Sequence, residues 1–326
     1  MTSTARLIPI APGVHVWAPD GADRWGLANC GLIASGGEAA LLDTPYALDL
    51  TDTFLAAARA AAPDAHIGTV FTTHGNGDHS WGNQRVTGAR IISTRRTLEH
   101  QCLEPTPEQL RALIEETDPD QPLGWYFRRH FGSFDFGGIT VTPPTDTFEG
   151  RLDVRVGDIL VELHQTGPAH TVGDLIAHLP EQRVVFTGDI VFAGDHPCHW
   201  AGPLANVITA CEEILAHNPD HIVPGHGPLL DQDGLRTHIQ YLADLAEQAR
   251  ELHARGCTPT TAAQHLIREK RYPGLGLEER LAITLGSEFR HLNNDPADPE
   301  ILSLAIEAAT IAWHNNTARR PATSPS

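Results

Sequence analysis

The sequence has no long apolar run and no feature of an exported chain. Among its 326 residues, no stretch approaches the roughly 18 consecutive apolar residues that a membrane-spanning helix requires. The first ten residues contain Arg6 but neither an apolar core nor a small-residue cleavage site, so no secretory signal peptide is expected. We therefore expect a cytoplasmic protein without a membrane partner.

The chain also lacks the cysteine pairs of a disulfide framework or a structural zinc finger. Its five cysteines are odd in number, widely spaced and without a C-x-x-C pair. This usage fits a reducing compartment. The residues are Cys30, Cys102, Cys198, Cys211 and Cys257.

Basic residues are scarce relative to acidic ones. Lysine and arginine number 23 against 41 aspartates and glutamates, which gives a net charge of −18. Such a surface repels phosphate backbones, so a nucleic-acid partner is not expected. With 41% hydrophobic residues, the chain can bury a large core either as one large domain or as one domain plus an appendage.

Strand and helix patterns alternate through the first two thirds of the chain. Residues 29–35 and 38–43 are short apolar runs joined by Ser35-Gly36-Gly37, which predicts a hairpin. A helix is predicted over 48–62, a buried strand over 66–72 and a helix beginning in 81–86, so the fold class is layered α/β. Later strands are predicted at 139–142, 151–156, 159–165, 175–179, 184–187 and 221–223.

The last third of the sequence has the spacing of helices. We predict a main domain over residues 1–235, a helical extension over 236–318 and a disordered tail over 319–326. The apolar faces of the extension need covering, and we expect them to pack on the main domain and to contribute to a homodimer.

Aromatic residues concentrate in the segment 105–138. This concentration predicts either a local hydrophobic cluster or a lid that walls the substrate site, and the sequence leaves both readings open. The residues are Trp125, Tyr126, Phe127, Phe131, Phe134 and Phe136.

The strongest signal for chemistry is a glycine-spaced His/Asp cluster directly after the apolar pair Val70-Phe71. Within six residues it places His74, Asn76, Asp78 and His79 on a backbone that Gly75 and Gly77 allow to turn tightly. Such a loop is typical of a metal site at the end of a buried strand.

Three later segments repeat this form, each being an apolar strand followed by a turn that presents His or Asp. They contribute His170, Asp189 and His226. Because strand ends converge on one edge of a layered α/β fold, these side chains are expected to meet there. The resulting nitrogen and oxygen ligands suit Zn²⁺ first, with iron or manganese as alternatives.

In this order, the four segments resemble the metallo-β-lactamase superfamily, whose hallmark H-x-H-x-D-H is followed by a later His, an Asp and a final His. The resemblance spans about residues 8 to 235 and implies an αββα sandwich with metals at one edge. It implies a first metal held by His74, Asn76 and His170, a second held by Asp78, His79 and His226, and Asp189 bridging both.

Asn76 departs from the superfamily pattern, which has histidine at this position. An amide oxygen is a neutral and weaker donor to zinc than imidazole. The first metal position should therefore be weakened, so one or two zinc ions are open, and we favour two.

The implied chemistry is hydrolysis of a small ester, thioester or lactone. Zinc lowers the pKa of a bound water to near 7, which supplies hydroxide at neutral pH, and Asp78 would orient that nucleophile. Two alternatives stay open: a metal-dependent cyclase or lyase acting on a polyketide-like metabolite, and a redox or metal-binding protein on the same fold. The latter is disfavoured because the C-terminal region shows no flavin-binding module.

The loop after Asp189 is the predicted place for contact with a small-molecule substrate. His196, His199 and Trp200 are the candidates. The competing reading has Trp200 packed in the interior and the histidines solvated, while Cys198 is expected to be an idle thiol.

Overall fold

A computed structural model of the protein describes residues 6–20, 22–295 and 301–319. Its centre is a pair of β-sheets that follow one another along the chain. The predicted tail at 319–326 lies outside the described residues apart from Arg319. Among the described helices, none is both long and apolar enough to cross a bilayer.

The first sheet has seven strands in sequence order. Strands β1 to β4 pair antiparallel, whereas β4 to β7 pair in parallel. The predicted hairpin is confirmed, since Ser35 pairs with Glu38 and both intervening glycines have positive φ. The strands are β1 Arg6–Ala11, β2 Val14–Ala18, β3 Cys30–Ser35, β4 Glu38–Leu42, β5 His66–Phe71, β6 Arg90–Thr94 and β7 Asp146–Phe148.

The second sheet has five strands, and its order is again sequential. Its strands pair antiparallel except for the last two, which are parallel. They are β8 Arg151–Val156, β9 Ile159–Gln165, β10 Leu175–Leu179, β11 Val184–Phe192 and β12 His221–His226.

Helices cover the outer faces of both sheets. The helix α1 packs Phe54 and Leu55 against the first sheet, and α6 to α9 pack against the second. The helices are α1 Leu48–Ala61, α2 Gly77–Ser80, α3 Arg95–His100, α4 Pro107–Glu115, α5 Pro122–Phe131, α6 Leu204–Ala216, α7 Gln232–Ala254, α8 Pro259–Arg268, α9 Arg280–Leu292 and α10 Ile301–Arg319.

Alternating side chains of the two sheets meet in a buried layer. Val16 and Phe71 of the first sheet pack with Val161 and Phe186 of the second. Burial of these faces between two sheets and two helical layers gives the predicted αββα sandwich, and the fold class is confirmed.

Two local predictions differ from the structure. The segment 139–142 is not a strand: Ile139 is buried against the aromatic residues around Tyr126, so its apolar character reflects loop packing. The predicted helix at 81–86 is a short 3₁₀ helix, Trp81–Arg85, directly after α2.

The helices after residue 232 share a core with the second sheet. Leu242 and Leu245 of α7 and Leu285 of α9 belong to the same buried cluster as Ile176 and Val185 of the sheet. The predicted boundary at residue 235 falls inside α7. The helical extension is therefore continuous with the core of the sandwich.

Candidate metal centre

Two groups of candidate ligands gather at the edge where β5, β11 and β12 carry the predicted motifs. In each group, one ligand atom per residue lies within 4.8 Å of the others. We call these the first group, with His74, His170 and Asp189, and the second group, with Asp78, His79 and His226. Asn76 joins the first group, since its Oδ1 lies 2.7 Å from His170 Nε2.

Asp189 lies between the two groups. Its Oδ1 is 3.2 Å from His79 Nε2, and its Oδ2 is 3.4 Å from both His170 Nε2 and His226 Nε2. Burial raises the pKa of this carboxyl, but the surrounding imidazoles outweigh burial and hold the pKa well below its usual range. A carboxylate that stays ionised between two sets of imidazoles has the position expected of a bridging ligand.

The local backbone around Asp189 differs from the prediction. Asp189 is inside β11 rather than in a turn after a strand. The strand β12 approaches it so closely that a Cβ on Gly225 would lie 1.8 Å from Asp189 Oδ1. Only glycine leaves room at position 225 for the carboxylate.

Hydrogen bonds fix the tautomers of the first-group histidines. His170 Nδ1 donates to Cys198 O at 2.6 Å, because a carbonyl can only accept. Thr73 Oγ1 lies 2.7 Å from Asp43 Oδ2, to which it donates, and therefore accepts from His74 Nδ1 at 3.0 Å. Burial, reinforced by the His79 imidazole, lowers the pKa of His74 to about 3. Both rings are thus neutral, with a lone pair on Nε2.

His79 in the second group has a charged partner. Its Nδ1 donates to Asp43 Oδ2 at 2.8 Å. Burial lowers the pKa of His79, but the carboxylates of Asp189, Asp43 and Asp78 together raise it well above its usual value. The environment therefore favours a positive charge at this imidazole, either a proton or a metal cation.

Several buried atoms fit a bound cation. His74 Nε2 and Asp189 Oδ1 are buried without a hydrogen-bond partner. His79 Nε2 and His226 Nε2 face each other at 3.4 Å. An unsatisfied buried donor or acceptor is unfavourable, whereas imidazole and carboxylate ligands suit a divalent metal. The residues present therefore fit a divalent metal ion.

The contact between Asn76 and His170 also fits a bound cation. With its proton on Nδ1, His170 presents a lone pair at Nε2 toward Asn76 Oδ1, which is also an acceptor. Two acceptors 2.7 Å apart are balanced by a shared cation or by an amide turned to donate its N–H. Asn76 therefore lies beside the candidate ligand His170, at a distance compatible with a shared cation.

The candidate ligands help to line a cavity of about 130 Å³. Asn76, Asp78, His170, Asp189 and His226 are in its lining. Many of the other lining residues are aromatic. The segment 105–138 contributes Tyr126, Phe127 and Phe131, and other parts of the chain contribute Trp25, Tyr46, Trp81, Phe192 and Trp200.

The three predicted substrate residues separate in the structure. Trp200 lines the cavity. His196 is buried and its Nδ1 lies 2.9 Å from the Tyr241 hydroxyl, and His199 is buried with its ring 6.2 Å from the His170 ring. Burial lowers the pKa of both histidines to about 3, so neither is a solvated side chain. In the described part of the chain, the residues that line the cavity include neither histidine.

Two residues of the site were not predicted. Asp43 follows β4 directly, and a polar residue ending the run Leu41-Leu42 was a usable signal. Arg280 begins α9, far along the chain, and no local pattern indicates that it reaches the cavity.

Comparison with known proteins gives a family. The sequence model described as the metallo-beta-lactamase superfamily matches residues 23–226, more than half of the chain. A probable hydroxyacylglutathione hydrolase, glo2, of Schizosaccharomyces pombe (strain 972 / ATCC 24843) is 31% identical over 100 residues. That match covers 29% of this chain and 37% of the relative, so the chain spans little more than a third of the yeast protein.

Solved structures show the same fold at low identity. The inverting sec-alkylsulfatase Pisa1 from Pseudomonas sp. matches 90% of this chain and 52% of its own, with a TM-score of 0.63 and 16% identity. A metallo-beta-lactamase from Pontibacter korlensis matches 74% of this chain and 99% of its own, with a TM-score of 0.54 and 17% identity.

Proposed function

Because this chain belongs to the metallo-β-lactamase superfamily, we propose that it is a zinc-dependent hydrolase of a small ester, thioester or lactone. The observation that carries the proposal is the set of candidate His and Asp ligands beside a cavity that many aromatic residues also line. Bound zinc lowers the pKa of water and polarises a carbonyl. The thioester option is supported by the yeast relative, which is named as a hydroxyacylglutathione hydrolase.

Asp78 is the residue proposed to orient the attacking water. Its side chain lines the cavity and is 17% exposed, and its Oδ2 lies 3.4 Å from His226 Nε2. A carboxylate in this position accepts a hydrogen bond from water that approaches the second group. The proton released on attack can pass to the same carboxylate.

Arg280 is proposed to bind an anionic group of the substrate. It is almost completely buried, lies 4.2 Å from the centre of the Trp25 ring and lines the cavity. Its Nη1 donates to His196 O at 3.3 Å, while its buried Nε has no hydrogen-bond partner. Its charge acts on the carboxyl groups of Asp195 and Glu279, where it lowers the pKa values that burial raises. A buried guanidinium with unused donors suits a carboxylate or another oxyanion.

The hydrolase proposal is tested by metal analysis of protein purified without chelator, followed by assays on ester, thioester, lactone, sulfate ester and β-lactam substrates. Zinc together with turnover of a carboxylic ester, thioester or lactone is the expected result. Bound iron would overturn it, and zinc without hydrolysis of any of them would favour a cyclase or lyase.

The Arg280 proposal needs matched substrates, one with a carboxylate and one with a neutral amide in its place. Arg280→Met should raise KM for the anionic substrate about tenfold or more and leave the neutral one little changed. Arg280→Lys should rescue part of the loss. The surface variant Arg271→Gln is the control. An equal effect on both substrates would show that Arg280 has only a packing role.

The cellular location and the oligomeric state of the protein remain predictions. A cytoplasmic location is supported by the five unpaired cysteines. A homodimer is tested by sedimentation of the purified chain.

A further inference from the structure

A second cluster of histidines lies on the outer face of the second sheet. It consists of His164 on β9, His178 on β10 and His217 at the end of α6, with Glu162 beside them. We call it the β9–β10 histidine cluster. It shares no residue with the first or second group.

Strand register explains how the cluster forms. His178 pairs directly with Glu162, and His164 pairs with Ile176, two residues before His178. Paired residues and residues two apart lie on the same face of a sheet, so His164, His178 and Glu162 are neighbours. The helix α6 places His217 over them, with its ring centre 4.1 Å from that of His178 and 5.0 Å from that of His164.

The ligand atoms are close enough for one ion. One nitrogen from each imidazole lies within 4.8 Å of the others. Ligands of a tetrahedral zinc are separated by about 3.4 Å, so ring rotations that shorten these distances by about an ångström complete the site. Glu162 Oε2 is 2.9 Å from His178 Nδ1 and 3.7 Å from His164 Nε2, which adds a carboxylate to the cluster.

Like the groups at the sheet edge, the cluster contains a buried polar atom without a hydrogen-bond partner. His164 Nε2 is buried without a hydrogen-bond partner. Burial lowers the pKa of His164, and burial together with the neighbouring His178 lowers the pKa of His217 to about 4. Neutral imidazoles have a lone pair to offer a metal. Arg151 faces the cluster but is bound to the other oxygen of Glu162.

We propose that the β9–β10 histidine cluster binds a further Zn²⁺ ion, separate from the catalytic centre. Three imidazoles and a carboxylate form a zinc ligand set. The ion would join the end of α6 to the sheet and so stabilise the segment that follows the cavity loop. Its role is structural, and it does not depend on the proposed hydrolysis.

The test is a zinc titration of chelator-treated full-length protein against a chromogenic zinc chelator. Wild type should bind one more equivalent than His217→Ala or His164→Gln, or hold it about tenfold or more tightly. The control is His221→Gln, because His221 is a partly exposed histidine on β12 outside the cluster. Equal zinc binding by wild type and both cluster variants would overturn the proposal.

A second measurement separates this site from the catalytic one. In Asp189→Asn, which is expected to weaken zinc binding at the sheet edge, zinc should still raise the melting temperature, and adding His217→Ala should make that shift clearly smaller. Ester hydrolysis by His217→Ala should equal that of wild type. A zinc-dependent shift of equal size in Asp189→Asn and in the double variant would show that the cluster holds no ion.

Discussion

The first and second groups differ in the residues behind their ligands as well as in the ligands. In the first group, the imidazoles are supported by neutral acceptors, the Thr73 hydroxyl and the Cys198 carbonyl. In the second group, His79 is hydrogen-bonded to the Asp43 carboxylate. A carboxylate partner raises the basicity of a ligating imidazole. The two groups therefore differ twice: in their candidate ligands, through Asn76, and in the hydrogen-bond partners of those ligands.

Exposure divides the residues within each group and not the two groups. The side chain of His74 is 1% exposed and that of His79 is 0% exposed, and neither is among the described residues that line the cavity. Asp78 and His226 are 17% and 11% exposed, and the partly exposed Asn76 lines the cavity with them. The comparison teaches that the two groups differ in Asn76 and in the hydrogen-bond partners of their imidazoles, while both reach the cavity.

The strongest test removes the residue that both groups share. Asp189→Asn should lower kcat/KM by about 10³-fold and reduce bound zinc at both positions, because the bridging charge is lost. Metal analysis and steady-state assays measure this, with exposed Asp158→Asn as control. If the variant retained its full zinc content, Asp189 would not be a ligand.

The next test acts directly on the second group, through His79, and only indirectly on the first group, through Thr73. Asp43→Asn should weaken zinc binding in the second group by about 10- to 100-fold, because His79 loses its charged partner. Thr73→Val, which removes the hydroxyl that His74 contacts, should have a smaller effect. Chelator competition measures both, and denaturant unfolding verifies the fold. Equal losses of zinc affinity in the two variants would show that a carboxylate partner does not distinguish the second group from the first.

The smallest expected effect concerns the first group. Asn76→His should tighten the weaker of two zinc affinities by about tenfold, or add an equivalent if wild type holds one ion. Asn76→Ala should shift the same affinity in the opposite direction. If neither variant changed the zinc affinity, residue 76 would not be the cause of the difference between the two groups.

The residues that gather at the sheet edge could be predicted because their signals are local. Glycine-spaced histidines after an apolar strand determine both a turn and its chemistry within a few residues, as at His74 to His79. The fold class followed because successive strands fill each sheet in chain order. These features can be read from short segments of the sequence without knowing which distant residues are in contact.

The features that sequence analysis missed depend on long-range packing. Arg280 reaches the cavity only because α9 packs against the second sheet, and its position in a helix gives no hint of this. The strand wrongly predicted at 139–142 has a similar cause. Ile139 is apolar, but it packs in a loop against a cluster of aromatic residues and not in a sheet. His196 and His199 follow a ligand closely in sequence, yet the loop buries both away from solvent.

The position of Arg280 has an evolutionary consequence. The metal ligands all precede residue 227, whereas this arginine belongs to the helices that follow. On the proposed role of Arg280, exchange of the C-terminal helices between related genes would change which substrates are accepted while the candidate metal ligands stayed in place. The shared core limits such recombination to donors whose helices present the same apolar surface to Ile176 and Val185.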